Sequence, residues 1–206
     1  YPGSDYRWEG TLVYDGTVYD HVQYRARGGV WRYSMGKNQW KFDFTRGHGF
    51  QARDDFGEKY DVAWDKLNLS ALIQQGNFLQ RGEQGLFESA GFQLHNLAGN
   101  PAPQTNYVQL RIIAGADESG TDQYSGDFQG LYLAIEEPDG RFLDEHNLPD
   151  GNLYKMEGGT GTLSNQGSTQ PTDKSDLTAL LATYQSGDPT PPDTQWWLDN
   201  VDLEDY

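Results

Sequence analysis

The segment Asn-Gln-Trp-Lys-Phe-Asp-Phe at residues 38–44 decides the fold of the first half of the chain. Aromatic and polar side chains alternate along it, which is the spacing of a β-strand with one apolar and one polar face. The aromatic set is Trp40, Phe42 and Phe44, and the polar set is Gln39, Lys41 and Asp43. We therefore predict a strand whose aromatic side chains are more buried than its polar side chains.

The residues before this strand predict a β-hairpin. Asp15-Gly16 is a typical two-residue hairpin turn, and the flanking segments 6–14 and 17–27 contain many β-branched and aromatic residues. Segment 38–44 would then be the third strand of an antiparallel sheet.

The stretch between hairpin and strand concentrates positive charge in an otherwise acidic chain. The cations are Arg25, Arg27, Arg32, Lys37 and Lys41, and they surround the glycine pair at residues 28–29. Glycine lets backbone amides approach an anion closely, so cations beside a glycine turn are typical of phosphate binding. The competing interpretation is that these cations are solvated and protect a strand edge from aggregation.

A helix is predicted over residues 85–98. Its apolar residues recur at three- and four-residue spacing, and Gly99 with Pro101 ends it. The apolar set is Leu86, Ala90, Leu94, Leu97 and Ala98. We expect this helix to pack on the sheet, with Leu94 in the core.

The order of predicted strands and helices along the chain indicates an α+β protein with helices packed on an antiparallel sheet. Further predicted elements are a short helix at 69–75, strands at 107–113 and 131–135, a polar loop at 157–173, and helices at 176–184 and 194–206. An acidic loop at 115–127 separates the two strands.

Composition excludes several classes of protein. The chain has 206 residues, a net charge of −16 and no cysteine. This charge argues against nucleic-acid binding, which needs a basic face, and the lack of cysteine excludes disulfides and thiolate metal sites. No apolar run approaches the roughly 20 residues that span a bilayer. The four histidines have no metal-ligand spacing, so no metal-binding residue is assigned.

Several blocks in a fixed order resemble the N-terminal part of the CotH (spore coat protein H) family of atypical, kinase-like proteins. The blocks are Val13-Tyr14-Asp15-Gly16, Arg25-Ala26-Arg27-Gly28, Lys37 with its strand, Leu67-Asn68-Leu69, residues 88–99 with Pro101-Ala102-Pro103, Gly130-Leu131-Tyr132 with Glu136, and Gly151-Asn152-Leu153-Tyr154-Lys155. The sequence departs from the family at Phe87, where an arginine is expected, and residues 82–85 lack the usual aspartate.

The resemblance implies a kinase-like N-lobe over residues 1–138, in which an antiparallel sheet carries one long helix. Residues 139–206 would then be a hinge connector and the first helices of a C-lobe. It implies transfer of the γ-phosphoryl group of ATP to Ser or Thr hydroxyls of a protein substrate, with Mg²⁺ or Mn²⁺. Together with the acidic composition, it suggests a bacterial secreted or cell-envelope protein.

The resemblance also implies which residues bind the nucleotide. They are Arg27, Gly28, Lys37, Lys41, Glu88, Glu136 and Lys155. Lys37 or Lys41 would contact phosphate and lie within salt-bridge reach of Glu88, with Lys37 preferred from its place in the motif. Arg27 and Gly28 would border the same inter-lobe cleft. Glu136 would lie at the hinge near the adenine, and Lys155 would reach a phosphate across the cleft.

The family's catalytic aspartate and metal-binding aspartates are expected beyond the segment that residues 199–202 match. No catalytic residue is therefore assigned in this chain, which we expect to be inactive alone. Two other functions stay open. One is a secreted, non-catalytic module that binds carbohydrate or Ca²⁺ through Trp8, Trp31, Trp40 and the acidic loops, and the other is a kinase-like interaction protein.

Overall fold

The computed structural model describes residues 6–28, 37–73, 83–120, 126–156, 161–184 and 194–201. The strands are β1 (Trp8–Tyr14), β2 (Thr17–Arg27), β3 (Gln39–Asp43), β4 (Lys66–Ser70), β5 (Thr105–Arg111), β6 (Phe128–Glu136), β7 (Leu153–Lys155) and β8 (Thr162–Asn165). The helices are α1 (Glu83–Leu97), α2 (Gly140–Glu145), α3 (Ser175–Tyr184) and α4 (Thr194–Asn200). Strands and helices are both well represented, so the α+β prediction is confirmed.

The chain divides into two units. The first contains residues 1–94 and 102–137, and the second contains residues 95–101 and 138–206.

The first unit is built on one curled, six-stranded sheet with the order β1-β2-β3-β4-β6-β5. Every neighbouring pair in this order is antiparallel. The predicted hairpin is present as β1 and β2, and Asp15 and Gly16 at its turn both have positive φ, at 48° and 74°. Two successive positive φ angles are typical of the type I′ turn, whose twist matches that of the flanking strands.

An aromatic core fills the inner face of this sheet. Phe42 and Phe44 of the predicted strand are buried there, with Trp40 partly buried beside them. The loop after β3 adds Phe50, whose ring stacks on Phe44 at 5.4 Å, and Trp64, which is almost fully buried. The predicted register of this strand is therefore confirmed.

Helix α1 lies on the outer face of the sheet, but it is rotated from the predicted orientation. Phe92 packs against the buried cluster of Leu72, Leu133 and Ile135. Leu94, which was expected in the core, is 66% exposed, so that prediction was wrong. A Cβ at the buried Gly85 would overlap Leu72, so the helix meets the sheet through its small residues.

The predicted helix at 69–75 was also wrong for the residues of it that the structure describes. Residues 69 and 70 belong to the central strand β4 (residues 66–70), and residues 71–73 are not helical. Leu67 and Leu69 face the aromatic core, whereas Asn68 and Ser70 lie on the outer face of the sheet. All four residues are buried. Residues 66–70 do alternate apolar and polar side chains, but the strand has only 5 residues, and Leu69 and Leu72 also fit the three-residue spacing of a helix. The predicted polar loop at 157–173 likewise contains β8.

The second unit combines short helices with the β7–β8 hairpin. Asp139 caps α2 by accepting a hydrogen bond from the backbone N–H of Arg141 at 2.9 Å. Helix α3 has nearly the predicted bounds, and the described residues of the last predicted helix form α4. No helix within the described ranges is long and apolar enough to cross a membrane.

The orientation of α1 can be tested with two phenylalanines of this helix. Phe92→Ala removes a ring from the cluster beneath the helix and should lower the free energy of unfolding by about 3 kcal/mol. Phe87→Ala changes a ring that is 69% exposed, so its effect should stay within about 0.5 kcal/mol. Urea denaturation of both variants measures the difference, and equal losses would contradict the described rotation.

Candidate functional site

The outer face of the sheet collects polar and charged side chains beside α1. Arg25 of β2 pairs with Lys41 of β3, and Lys41 pairs with Asn68 of β4. Because side chains alternate between the faces of a sheet, these three lie on one face, together with Arg27 and Ser70. We call this surface the polar face.

Lys41 and Glu137 form a buried ion pair at the polar face. Lys41 Nζ lies 3.0 Å from Glu137 Oε1, and the two side chains are only 15% and 8% exposed. Such a pair stays charged inside a protein only when its geometry is good and further hydrogen bonds support it. The position of Lys41 is therefore fixed by a carboxylate at the end of β6.

Asn68 provides the further hydrogen bond. Its Nδ2 donates to Glu137 Oε2 at 2.5 Å, from a side chain that is almost fully buried. Since an ionised carboxylate only accepts, this contact fixes the amide orientation and turns Oδ1 away from Glu137. Asn68 Oδ1 is buried without a hydrogen-bond partner in the part of the chain that the structure describes. A buried acceptor of this kind is suited to a donor from water or a ligand.

Glu88 projects from α1 toward the same face. Burial raises the pKa of its carboxyl, while a hydrogen bond with Ser70 and the charge of Arg27 act in the opposite direction. Arg27 also donates from Nη1 to Gln39 Oε1 at 3.3 Å. The cation beside Glu88 is therefore an arginine of β2.

The described contacts of Glu88 are with Ser70 and Arg27, and its predicted pairing with a lysine stays a prediction. Lys41 pairs with Glu137, and the Lys37 ammonium donates instead to the backbone carbonyl of Leu131. In this register β3 brings Lys41 beside the end of β6, whereas Arg27 lies toward α1.

Lys37 occupies an unusual environment at the start of β3. Its Nζ lies 3.8 Å from the centroid of the Tyr132 ring, an arrangement that favours a cation. Burial lowers the pKa of Lys37 to about 8. This ammonium is therefore held by a carbonyl and an aromatic ring, while burial partly opposes its charge.

Gly28 and Glu136 occupy different environments. Gly28 follows the last residue of β2, has a φ of 102° and is exposed. The Glu136 side chain is 1% exposed, and its Oε2 accepts a hydrogen bond from the backbone N–H of Gln104 at 3.0 Å. Glu136 thus anchors the chain entering β5, and it lies on the opposite face of β6 from the ion-paired Glu137.

Lys155 lies in the second unit, on β7 opposite Thr162 of β8. Its neighbours in the family-like block have structural contacts. Tyr154 Oη donates to Asp176 Oδ1 at 2.7 Å, and Asn152 Nδ2 donates to Asp176 Oδ2 at 2.8 Å. These bonds lower the pKa of the Asp176 carboxyl, the Tyr154 bond most strongly. The block thereby ties β7 to the first turn of α3.

Sequence reasoning missed Glu137 and Asn68. Glu137 follows a strand in which Leu133 and Ile135 face α1, so continued alternation would have placed its carboxylate on the polar face. Asn68 appeared only in the family-like block 67–69, and its role was missed because its carboxylate partner follows β6, which is distant in sequence.

The arrangement is suited to binding an anion through fixed positive charges. Arg25, Arg27 and Lys41 supply cations, and Glu88 and Glu137 hold two of them in place. Among the described residues, no group of three or more His, Cys, Asp and Glu side chains could hold a metal ion.

Comparison with known proteins gives one family. A family model described as CotH kinase protein matches residues 24–200. No curated protein and no solved structure matches the chain.

The buried ion pair predicts a specific pattern of non-additive stability. Glu137→Gln leaves the Lys41 charge buried without its counter-ion, so the free energy of unfolding should fall by about 3–5 kcal/mol. Lys41→Met should cost a similar amount, whereas the double variant should lose much less than the sum of the two. Urea denaturation of the four proteins measures this coupling. Additive losses would show that the two charges do not stabilise each other.

The lowered pKa of Lys37 predicts that the free energy of unfolding increases with pH. Its pKa is about 8 in the folded protein, whereas that of a free lysine side chain is 10.5. Between these values the unfolded chain binds a proton that the folded protein has lost, so unfolding becomes less favourable as the pH increases. The unfolding free energy of the wild type, relative to that of Lys37→Met, should therefore increase across this window. If the unfolding free energies of the wild type and Lys37→Met changed in parallel with pH, the described environment of Lys37 would be contradicted.

Proposed function

This chain belongs to the CotH kinase protein family, and we propose that the protein containing it transfers the γ-phosphoryl group of ATP to Ser or Thr hydroxyls of a protein substrate. The observation that carries this proposal is the ion pair between Lys41 and Glu137 on the polar face, with Arg27 and Glu88 beside it. Phosphoryl transfer depends mainly on positioning and on fixed positive charge around the phosphates.

The residues of the polar face fit a nucleotide phosphate in charge and in rigidity. Arg25, Arg27 and Lys41 would contact the phosphate oxygens, and Glu137 would keep Lys41 from turning away. Arginine is well suited to this role because its planar guanidinium donates two parallel hydrogen bonds to phosphate oxygens. Fixing these cations in advance lowers the cost of ordering them around the charge that develops during transfer.

The family implies a divalent metal, Mg²⁺ or Mn²⁺, which would neutralise charge on the nucleotide phosphates when bound. We propose that its ligands, and the aspartate that accepts the hydroxyl proton, lie outside the described residues. The contribution of the described residues is to bind and orient the phosphates. We also propose a secreted or cell-envelope setting in bacteria, which the acidic composition supports.

A non-catalytic binding module is the second candidate. The observation that favours it is an aromatic cluster on the inner face of the sheet, where the Trp8 and Trp40 rings meet at 6.4 Å. Trp31, which the sequence suggested for the same role, lies outside the described residues. A binding module would need no nucleotide, so ATP binding distinguishes the two candidates.

ATP binding by the polar face can be tested with a matched pair of arginine variants. Arg27→Gln should weaken the binding of ATP about tenfold, a loss of roughly 1.4 kcal/mol, because it removes one cation from the phosphate site. Arg46→Gln is the control, since Arg46 is exposed in the loop after β3. Isothermal titration with ATP measures both dissociation constants, and thermal melts check that each variant folds.

Phosphoryl transfer is then measured as incorporation of labelled phosphate from γ-labelled ATP into a protein substrate. Arg27→Gln should reduce incorporation, whereas Arg46→Gln should not. Equal ATP affinities for wild type and both variants would refute the assignment of the polar face. A complete absence of ATP binding by the wild type would favour the binding module.

A further inference from the structure

The ammonium of Lys37 is held without a carboxylate among the residues that the structure describes. Its hydrogen-bond partner is the backbone carbonyl of Leu131, and its Nζ lies 3.8 Å from the centroid of the Tyr132 ring. Lys41, by contrast, is buried in an ion pair. Lys37 is partly exposed, so a reagent in the solvent can reach an amine that no described counter-ion stabilises.

The end of β4 explains where this amine lies. The last residue of β4, Ser70, pairs with Leu133 of β6, so Leu131 lies beyond the end of β4. Lys37 precedes β3 and donates to the carbonyl of Leu131 beside the part of β6 with which β4 does not pair. The Tyr132 ring belongs to the aromatic core. The amine therefore lies on the inner side of the sheet, away from the polar face.

Gly130 leaves space beside the amine. A Cβ at this residue would lie 3.6 Å from Lys37 Nζ and 3.9 Å from its Cε, which is ordinary van der Waals contact. The φ of Gly130 is 90°, a value that glycine adopts readily and other residues rarely adopt. Because this residue has no side chain, a small substituent on the nitrogen has room beside β6.

Burial makes this amine a better nucleophile near neutral pH. Only the uncharged amine has the lone pair that attacks an electrophile, and a lysine in apolar surroundings loses its proton more readily than one in water. Burial lowers the pKa of Lys37 to about 8. The titratable group that faces Lys37 from β6 is Tyr132. Burial raises the pKa of this phenol to about 12, so it stays protonated while Lys37 titrates.

An acyl group on Nζ would remove the charge that burial opposes. The resulting amide is neutral, whereas a methylated amine would keep its charge. The amide also retains one N–H, which would continue to donate to the carbonyl of Leu131. The attraction between the ammonium and the Tyr132 ring is lost, but the acyl group would contact the same ring.

We propose that Lys37 is an acylation site that takes an acyl group from an acyl phosphate. The lone pair of the uncharged Nζ attacks the carbonyl carbon, and a C–N bond forms as the C–O bond to phosphate breaks. Phosphate leaves with the electron pair of that bond, and the nitrogen releases one proton to solvent. The step needs no other reactant, and it does not depend on the polar face or on phosphoryl transfer from ATP.

Competitive labelling with acetyl phosphate tests the proposal. The wild-type protein is labelled to low conversion, and peptide mass spectrometry measures the rate at each lysine, with the exposed Lys59 as the internal control. At about pH 7.5 an amine with a pKa of about 8 is uncharged more than about a hundredfold more often than a free lysine. Weaker basicity and partial burial reduce this advantage, so Lys37 should react at least tenfold faster than Lys59. Its rate should level off above about pH 8.

A chemically defined variant tests whether the folded protein accommodates the acyl group. Lys37→acetyllysine should melt at or above the temperature of Lys37→Met, because its amide keeps the hydrogen bond to Leu131. It should also lose the rise in unfolding free energy between pH 8 and 10.5 that the wild type shows. Lys59→acetyllysine is the matched control and should keep that rise. Labelling of Lys37 no faster than that of Lys59, or a melting temperature of Lys37→acetyllysine clearly below that of Lys37→Met, would overturn the proposal.

Discussion

The ion pair between Lys41 and Glu137 constrains the arrangement of the first unit more than any other contact of the polar face. A buried charge that loses its partner costs several kcal/mol, so β3 and β6 must keep the register that brings the two side chains together. Strand β4 lies between them, and Asn68 at its centre completes the pair by donating to the carboxylate. Three strands that are distant in sequence are therefore held in one register by a single polar contact.

Two adjacent carboxylates at the end of β6 have different structural roles. Glu136 points to the inner face and anchors the backbone at Gln104, whereas Glu137 points to the outer face and holds Lys41. Because neighbouring residues of an extended chain face opposite ways, one dipeptide serves both the aromatic core and the polar face. The two faces of the sheet are thus linked at this point.

Much of the fold could be predicted where one face of an element is buried and the other is not. The alternation of residues 38–44 predicted β3 and its register, and Asp15-Gly16 predicted the hairpin. Strand β4 was missed because it has only 5 residues, and Leu69 and Leu72 also fit the spacing of a helix. The bounds of α1 followed from apolar spacing, but its rotation did not, since the outer face of the sheet accepts Gly85 and Ser89 rather than leucines. The cations of the site were recognised from their clustering. Their carboxylate partners depend on contacts between distant strands, which the local pattern does not contain.

The rotation of α1 leaves a row of leucine and phenylalanine side chains in contact with water. Leu86, Phe87, Leu94 and Leu97 are each more than half exposed on this helix. At neutral pH the net charge of −16 keeps copies of the chain apart in spite of this row. The isoelectric point lies near 4.4, and close to that pH the repulsion disappears while the apolar row remains. The colloidal stability of this protein is therefore coupled to acidity, and mild acidification would favour self-association through this exposed row of α1.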